Sequence, residues 1–473
     1  MLRSCLASIL LLAPLALPAA AGEKIVTIGD SLTFAYEAEF GPPFSDNYGT
    51  TSKNWIEILS GNNPGTGLRK DYFDQGVRDT YSVNLIFTTV QFLFRHEFNW
   101  SIPGATANQL RNFVEGAATF SEILAEDPTF SSLLSSTGLT DDDFDVTDLE
   151  QQITSEAARF VYFVGGNDVR SVYQQVYLGT SDGQAFMDAY MADATATIDK
   201  IQTWNPDLPG VIVAVPHIGI TPDVRLGYPF NAVSTGRVTT MLSQLNGRLR
   251  ALADSRGLGF ADIFTPTLRL LNPAVPLTIH GMTFTNAGAD PANNNFVWLA
   301  GDVSDNFHPH TNAHAVVANI IIEAFNERYQ TSIPALTATE ILKNLLGRTD
   351  AAIDMTFATW MTGYGLTGQP ETSDADRDGI PAGVEFGLGL DPGYDDSHLI
   401  RTRLTPGGLE MNYTLRLPTT TRVSIDAQIS GGLSGFTNIL PRPTRNATTE
   451  RAHAVLPVSG NRGFIRLKST VAP

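Results

Sequence analysis

The sequence predicts a three-layer α/β domain on a mostly parallel sheet, followed by a smaller all-β module. Two patterns carry this expectation. From Glu23 to about Tyr329, short apolar runs alternate with longer amphipathic stretches. From Leu399 to the end, apolar and polar residues alternate one by one amid frequent Thr, Pro and Gly. The first pattern belongs to strand-helix-strand units and the second to half-buried strands.

The strand candidates of the first region are residues 24–28 (Lys-Ile-Val-Thr-Ile), 159–164 (Arg-Phe-Val-Tyr-Phe-Val) and 211–215 (Val-Ile-Val-Ala-Val). Each is dense in β-branched or aromatic residues and stops at Gly29, Gly165 or Pro216. Such continuous apolar runs suit strands buried on both faces. Between and after them, residues 182–204, 235–256 and 312–329 carry apolar residues at helical spacing. Residues 116–150 are irregular and acidic and read as an insertion. Its carboxylates Asp141, Asp142, Asp143, Asp145 and Asp148 suit a solvated segment with a helix beginning at Thr140-Asp141, where the positive helix end favours acids. Residues 337–347 read as a short helix, and Phe357, Trp360 and Met361 lead into a Gly- and acid-rich stretch. Within the last region, residues 422–427 and 463–467 are clear alternating strands.

The first 21 residues have the form of an export signal: Arg3, an apolar run over residues 5–17, then Pro18-Ala19-Ala20-Ala21 as a cleavage site. The run falls short of the ~20 residues that cross a bilayer. The expected division is therefore a signal (1–21), an α/β domain (22–335), a helical linker (336–398) and a β module (399–473). A secreted, periplasmic or extracellular protein without a transmembrane span is expected. Cleavage removes Arg3 and shifts the formal charge from −18 to −19. It also removes Cys5, the single cysteine, which excludes thiol chemistry and disulfides. With 49 acids against 31 bases there is no basic footprint for nucleic acid, so none is expected as a partner.

Candidate chemistry lies in four short blocks. The first strand runs into Gly29-Asp30-Ser31, which would put a serine hydroxyl at the sheet edge beside helix-start N–H groups. The same tripeptide is also a good turn and helix cap. Gly104 sits in a tight loop before a helical stretch. The second strand ends at Gly165-Gly166-Asn167-Asp168, which brings an amide donor to the same edge if the strands are parallel. Asp305 precedes His308-Pro309 by three residues, so it can accept from imidazole Nδ1 and leave Nε2 as a base. Each block alone is ordinary turn or surface chemistry; their joint occurrence in order is not.

In this order the blocks resemble the SGNH, or GDSL, family of serine esterases and lipases, over about residues 24–329. The resemblance implies a three-layer α/β/α flavodoxin-like SGNH hydrolase domain. It implies Ser31 as nucleophile, His308 as base and Asp305 as its orienter, with the Ser31 N–H, Gly104 and Asn167 as oxyanion donors. Residues 215–222 also look like a loop of longer lipase-like members. The long insertion and Ala313, where many relatives carry Gly, are departures. Catalysis would need no cofactor. The substrate would be an ester, either an acylated glycan or a lipid. Leu85, Ile86, Phe87, Phe92, Phe94 and Phe98 could line an acyl pocket or simply form core. A different reading keeps the fold but makes the protein an inactive glycan-binding or surface protein.

Two further groupings invite a metal. Asp302, Asp305, His308 and His310 could be drawn around an ion, but Pro309 breaks any helix there and no zinc-protease pattern is present. His96, His217, His280, His398 and His453 read as structural or surface residues. Residues 374–385 fit a calcium loop better, with acids Asp374, Asp376 and Asp378 at positions 1, 3 and 5. Gly379 stands at position 6, Ile380 at position 7 offers a carbonyl, and Glu385 at position 12 offers a bidentate carboxylate. The resemblance is to single calcium loops that precede β modules in secreted bacterial proteins. A structural calcium is expected.

Overall fold

The apolar runs become the central sheet. β1 (Ile25–Gly29), β4 (Arg159–Phe163), β5 (Gly210–Val213) and β6 (Gly259–Ala261) pair in that order, all parallel. The first three are buried along their whole length, as runs covered on both faces must be. On the far side of β1, residues 98–102 continue the ladder: Thr27 N–H donates to Phe98 O, and the Trp100 and Ile102 N–H groups donate to Thr27 O and Gly29 O. Counting this extended segment, the strand order is 2-1-3-4-5, so the chain reverses direction across the sheet between β1 and β4. Ligands of open α/β sheets bind outside the carboxyl ends of the strands at such a reversal.

This computed structural model describes residues 22–39, 52–61, 66–85, 88–126, 145–289, 293–299, 306–406, 408–414, 422–430, 434–438, 451–456 and 464–471. The expected export signal lies outside them, as do Asp141, Asp142, Asp143 and the Thr140-Asp141 helix start. The described part of the insertion has Asp145 capping a helix, Val146–Gln151, by accepting from Thr147 N–H.

The helices of the body include α1 (Trp55–Ser60), α2 (Ala107–Val114), α3 (Gly166–Leu178), α4 (Gln184–Trp204), α5 (Ala232–Arg256) and α6 (Thr311–Tyr329). The last three lie within a few residues of the expected segments. A hairpin of β2 (Arg78–Leu85) and β3 (Thr88–His96), unanticipated from the sequence, occupies the first crossover. One hydrophobic core joins sheet and helices and continues through Leu336, Ile341, Leu342, Leu346 and Ile353. The first part of the linker therefore packs as part of the body; residues Glu340–Leu345 form a wide helical turn there.

A second hairpin, β7 (Leu277–Ile279) with β8 (Met282–Phe284), precedes α6. Beyond the linker helix α7 (Ala382–Leu388), two small antiparallel sheets follow. One orders β9 (Arg401–Thr405), β10 (Gly408–Thr414) and β13 (Arg451–Leu456) as β13-β10-β9. The other orders β11 (Val423–Ser430), β12 (Thr437–Asn438) and β14 (Phe464–Val471) as β12-β11-β14. Val384 and Leu388 of α7 cluster with Met411 and Tyr413, while Ala382 and Phe386 cluster with Trp360. Every residue of α7 is buried in consequence. Among the described residues no helix is long and apolar enough to cross a membrane.

Candidate active site

β1 ends in a tight turn rather than a long helix. Asp30 O accepts from the Thr33 and Phe34 N–H groups, and the Asp30 carboxylate accepts from Leu32 N–H at 3.0 Å. Three side chains brace this turn from outside. Asn99 Nδ2 donates to Thr33 O at 2.9 Å, Trp55 Nε1 to Thr33 Oγ1 at 3.1 Å, and Asn54 Nδ2 to Phe34 O. Ser31 thus stands on a fixed backbone at the carboxyl end of β1, 5% exposed. A Cβ on Gly29 would lie 2.4 Å from Phe163 O, so only glycine lets the two strand ends approach this closely.

The end of β4 meets it. Gly165 has φ +135°, and a Cβ there would be 2.7 Å from Val215 Cγ2, so this position too requires glycine. The Gly165 and Gly166 N–H groups face the Asp30 carboxylate, which is 1% exposed. Burial pushes that carboxyl up to about 6, opposed by these donors and by attraction to His308. Asn167, at the start of α3, is half-buried and donates from Nδ2 to Ala105 O at 3.1 Å. Its neighbour Asp168 accepts from Ala107 N–H, the first residue of α2, at 3.1 Å. Burial also lifts Asp168, to about 7. Two contacts thus join the third block to the second. Just before them Gly104, exposed and at φ +78°, turns the chain ahead of the Thr106 cap of α2.

The histidine arrives from the segment before α6. Leu299 N–H donates to His308 O at 2.9 Å and His310 N–H to Val297 O at 2.7 Å, which pins both flanks of residue 308. Asn306 is left-handed, φ +59°, and its carbonyl accepts from Asp223 N–H. Phe307 packs under the Arg170 guanidinium, 5.3 Å from the ring centre, and Arg170 pairs with Asp223 at 2.9 Å. The imidazole of His308 stands edge-on to Tyr36 and Phe307, and its Nε2 lies 2.7 Å from Ser31 Oγ. A hydroxyl and an imidazole separated by 277 residues are therefore in hydrogen-bond contact at the sheet's reversal point. Asp305 and Asp302 lie outside the described residues.

The GDSL-like Lipase/Acylhydrolase family model matches residues 25–321. The chain belongs to this family of ester hydrolases. Among solved structures, an extracellular lipase from Streptomyces rimosus is 14% identical with a TM-score of 0.31, over 64% of this chain and 100% of its own. A catalytic mutant of an acetylxylan esterase from Geobacillus stearothermophilus is 14% identical with a TM-score of 0.33, over 64% and 94%. A gut microbial diltiazem-metabolizing enzyme is 14% identical with a TM-score of 0.32; the match covers 65% of this chain but only 47% of that one. No curated protein matches.

In this GDSL-family site the remaining histidines of the segment serve the scaffold. His310 Nδ1 is 2.9 Å from Ser52 Oγ, and His314 Nε2 is 2.7 Å from the Tyr36 hydroxyl. Burial holds His314 down to about 3, so it is neutral. His96, His217 and His280 are likewise buried and held near 4, and His217 Nδ1 accepts from Gly219 N–H inside the 215–222 loop. Of the candidate acyl-pocket residues, Phe98 is core; Ile86 and Phe87 lie outside the described residues. Sequence reasoning missed the tying role of Asp30 and Asp168 and the bracing by Asn99, Asn54 and Tyr36. A motif names residues, not the distant backbone groups they hold.

The acids of the expected calcium loop cluster in the linker. Carboxylate oxygens of Asp374, Asp376 and Asp378 lie within 4.8 Å of one another, and Gly379 has the positive φ, +91°, that the turn requires. Gly379 N–H donates to Asp374 and Ile380 N–H to Asp378. Glu385, on α7, is 0% exposed and neither of its oxygens has a hydrogen-bond partner. Burial and then the neighbouring acids push it up to about 9. A carboxylate buried without donors is stable only beside a cation or when protonated, so the residues fit a hard divalent ion.

Proposed function

We propose that the protein is a serine hydrolase that cleaves carboxylic esters through an acyl-enzyme on Ser31. The observation that carries this reading is the 2.7 Å contact between Ser31 Oγ and His308 Nε2. The other two family blocks meet each other, with Asn167 Nδ2 donating to Ala105 O just after Gly104. His308 Nε2 takes the Ser31 proton as Oγ attacks the ester carbonyl carbon. The resulting oxyanion receives hydrogen bonds from the Ser31 and Gly104 N–H groups and from Asn167 Nδ2. The Asn167 amide has two N–H groups, so one can remain on Ala105 O while the other turns to the oxyanion. His308 then protonates the leaving alkoxide, and the freed alcohol departs. Water, deprotonated by His308, attacks the acyl carbon and releases the acid and the Ser31 hydroxyl. Asp305 is assigned the His308 Nδ1 proton, keeping Nε2 free as the base.

Residues 1–21 are assigned to export. The linker loop is assigned to a structural calcium held by Asp374, Asp376, Asp378, the Ile380 carbonyl and Glu385, which neutralises their charge and takes no part in hydrolysis. The test is hydrolysis of p-nitrophenyl esters from acetyl to long acyl chains. Ser31→Ala should lower kcat by at least ~10⁴ in a protein that still folds. A folded wild type that hydrolyses none of these esters would return the reading to a binding protein. Activity confined to acetyl would indicate carbohydrate deacetylation, and activity rising with chain length a lipid ester.

A further inference from the structure

Beside the loop just described lies an acid that its spacing does not include. We infer that Asp396, eleven residues beyond Glu385, is a further ligand of the calcium ion, so that the site is built from two chain segments and fastens the turn at residues 391–396. The inference rests on the calcium reading of the loop given above.

Three observations carry it. Carboxylate oxygens of Asp378, Glu385 and Asp396 lie within 4.8 Å of one another, a spacing that oxygens around a common ion at 2.3–2.6 Å can adopt. Asp378 belongs to this group and to the loop's own group of three, so both converge on one place. Second, both oxygens of Glu385, Oδ1 of Asp396 and Oδ2 of Asp376 are buried and have no hydrogen-bond partner. Acids converging in this way without a counter-charge are costly, and one divalent cation relieves all of them. Third, Asp396 is aimed by its surroundings. Its N–H donates to Asp378 Oδ2 at 3.3 Å, and its Oδ2 accepts from Asp391 N–H at 2.9 Å, which leaves the buried Oδ1 without a hydrogen-bond partner. All-oxygen donors with several carboxylates select calcium over softer ions.

The geometry also gives the ion a reach beyond the linker. Asp391, held by Asp396, pairs with Arg269 of the α/β body at 2.7 Å. Around these residues the seam between body and linker is hollow, a cavity of about 410 Å3 bordered by Arg269, His280, Tyr364, Asp391 and Asp396. The Arg269–Asp391 pair crosses this seam, and the proposed ion would lie at its root.

The test is calorimetric titration of chelator-treated full-length protein with calcium chloride, for wild type, Asp374→Asn and Asp396→Asn. Both variants should bind at least tenfold more weakly than wild type. Each should also melt no lower than wild type without calcium, since it removes a repelled charge, and gain less in Tm when calcium is added. Amide exchange at residues 389–400 should slow with calcium in wild type and not in Asp396→Asn. If Asp374→Asn weakens binding and Asp396→Asn does not, Asp396 is no ligand and the loop reading stands alone. If wild type binds no calcium, both readings fall together.

Discussion

Replacing Asn167 by Ala separates a functional amide from a structural one. In the structure the Asn167 amide makes a single neutral hydrogen bond, to Ala105 O at 3.1 Å, from a half-buried position. Losing such a bond costs about 1 kcal/mol of stability, which lowers Tm by about 2–4 °C in a domain of this size. If the second N–H of that amide meets the oxyanion, its loss costs far more in the transition state. Removal of one oxyanion donor lowers kcat by ~10²–10³, or about 2.7–4 kcal/mol. The two effects differ by at least a factor of two in energy and are read by different instruments. Steady-state kinetics on p-nitrophenyl acetate should show the loss in kcat with KM within about threefold, because the ground-state carbonyl does not need the donor. Thermal melting of the same preparations supplies the stability side. A fall in kcat below tenfold, or a loss residing in KM alone, would refute the assignment and leave Asn167 as a brace of the Gly104 loop.

Two further expectations concern the turns that carry the site. Asp30 has a raised pKa in the folded state, about 6 against an ordinary 3.8, so the fold holds that proton more tightly than the unfolded chain does. Its contribution to stability is full below about pH 4 and is lost as pH rises through about 6, by about 3 kcal/mol. Asp30→Asn cannot titrate, so its unfolding free energy minus that of wild type should rise by about that amount between pH 4 and 7 in urea melts; a difference independent of pH contradicts the burial argument. Gly165→Ala must place a Cβ 2.7 Å from Val215 Cγ2 at φ +135°. A loss of about 2–5 kcal/mol in the same melts is expected, and a change within 0.5 kcal/mol would show that the strand ends can separate freely.

Much of the body was legible in the sequence because its strands are buried on both faces. Residues 24–28 and 159–164 can be little else than interior strands, and they became β1 and β4 within one residue at either end. The β2–β3 hairpin was not legible, because it interrupts a strand-helix rhythm. The boundary expected at residue 335 marks a change of composition, whereas Leu336, Ile341 and Leu342 pack into the main core. At the site, the blocks named Ser31, Gly104, Asn167 and His308, and the structure brings Ser31 to His308 and Asn167 to the Gly104 loop. Asp396 illustrates the opposite case. A twelve-residue template ends at Glu385, and only the folded turn at residues 391–396 reveals the acid facing it.

Asp30 and Asp168 explain why the blocks occur together rather than separately. Each is a buried carboxyl turned to backbone N–H groups of another block: Asp30 faces those of Gly165 and Gly166, and Asp168 accepts from Ala107 beyond the Gly104 turn. A hydrophobic contact would hold these turns near one another, but it is non-directional and would leave their N–H groups without acceptors in a buried place. A carboxyl meets several donors at fixed angles and so sets register as well as proximity. The cost is visible in the raised pKa of both acids, which are buried near each other and repel when ionised. Precision at this edge of the sheet is thus obtained from groups that weaken the fold as pH rises, and for Asp30 the pH-dependent difference predicted above measures how large that sacrifice is.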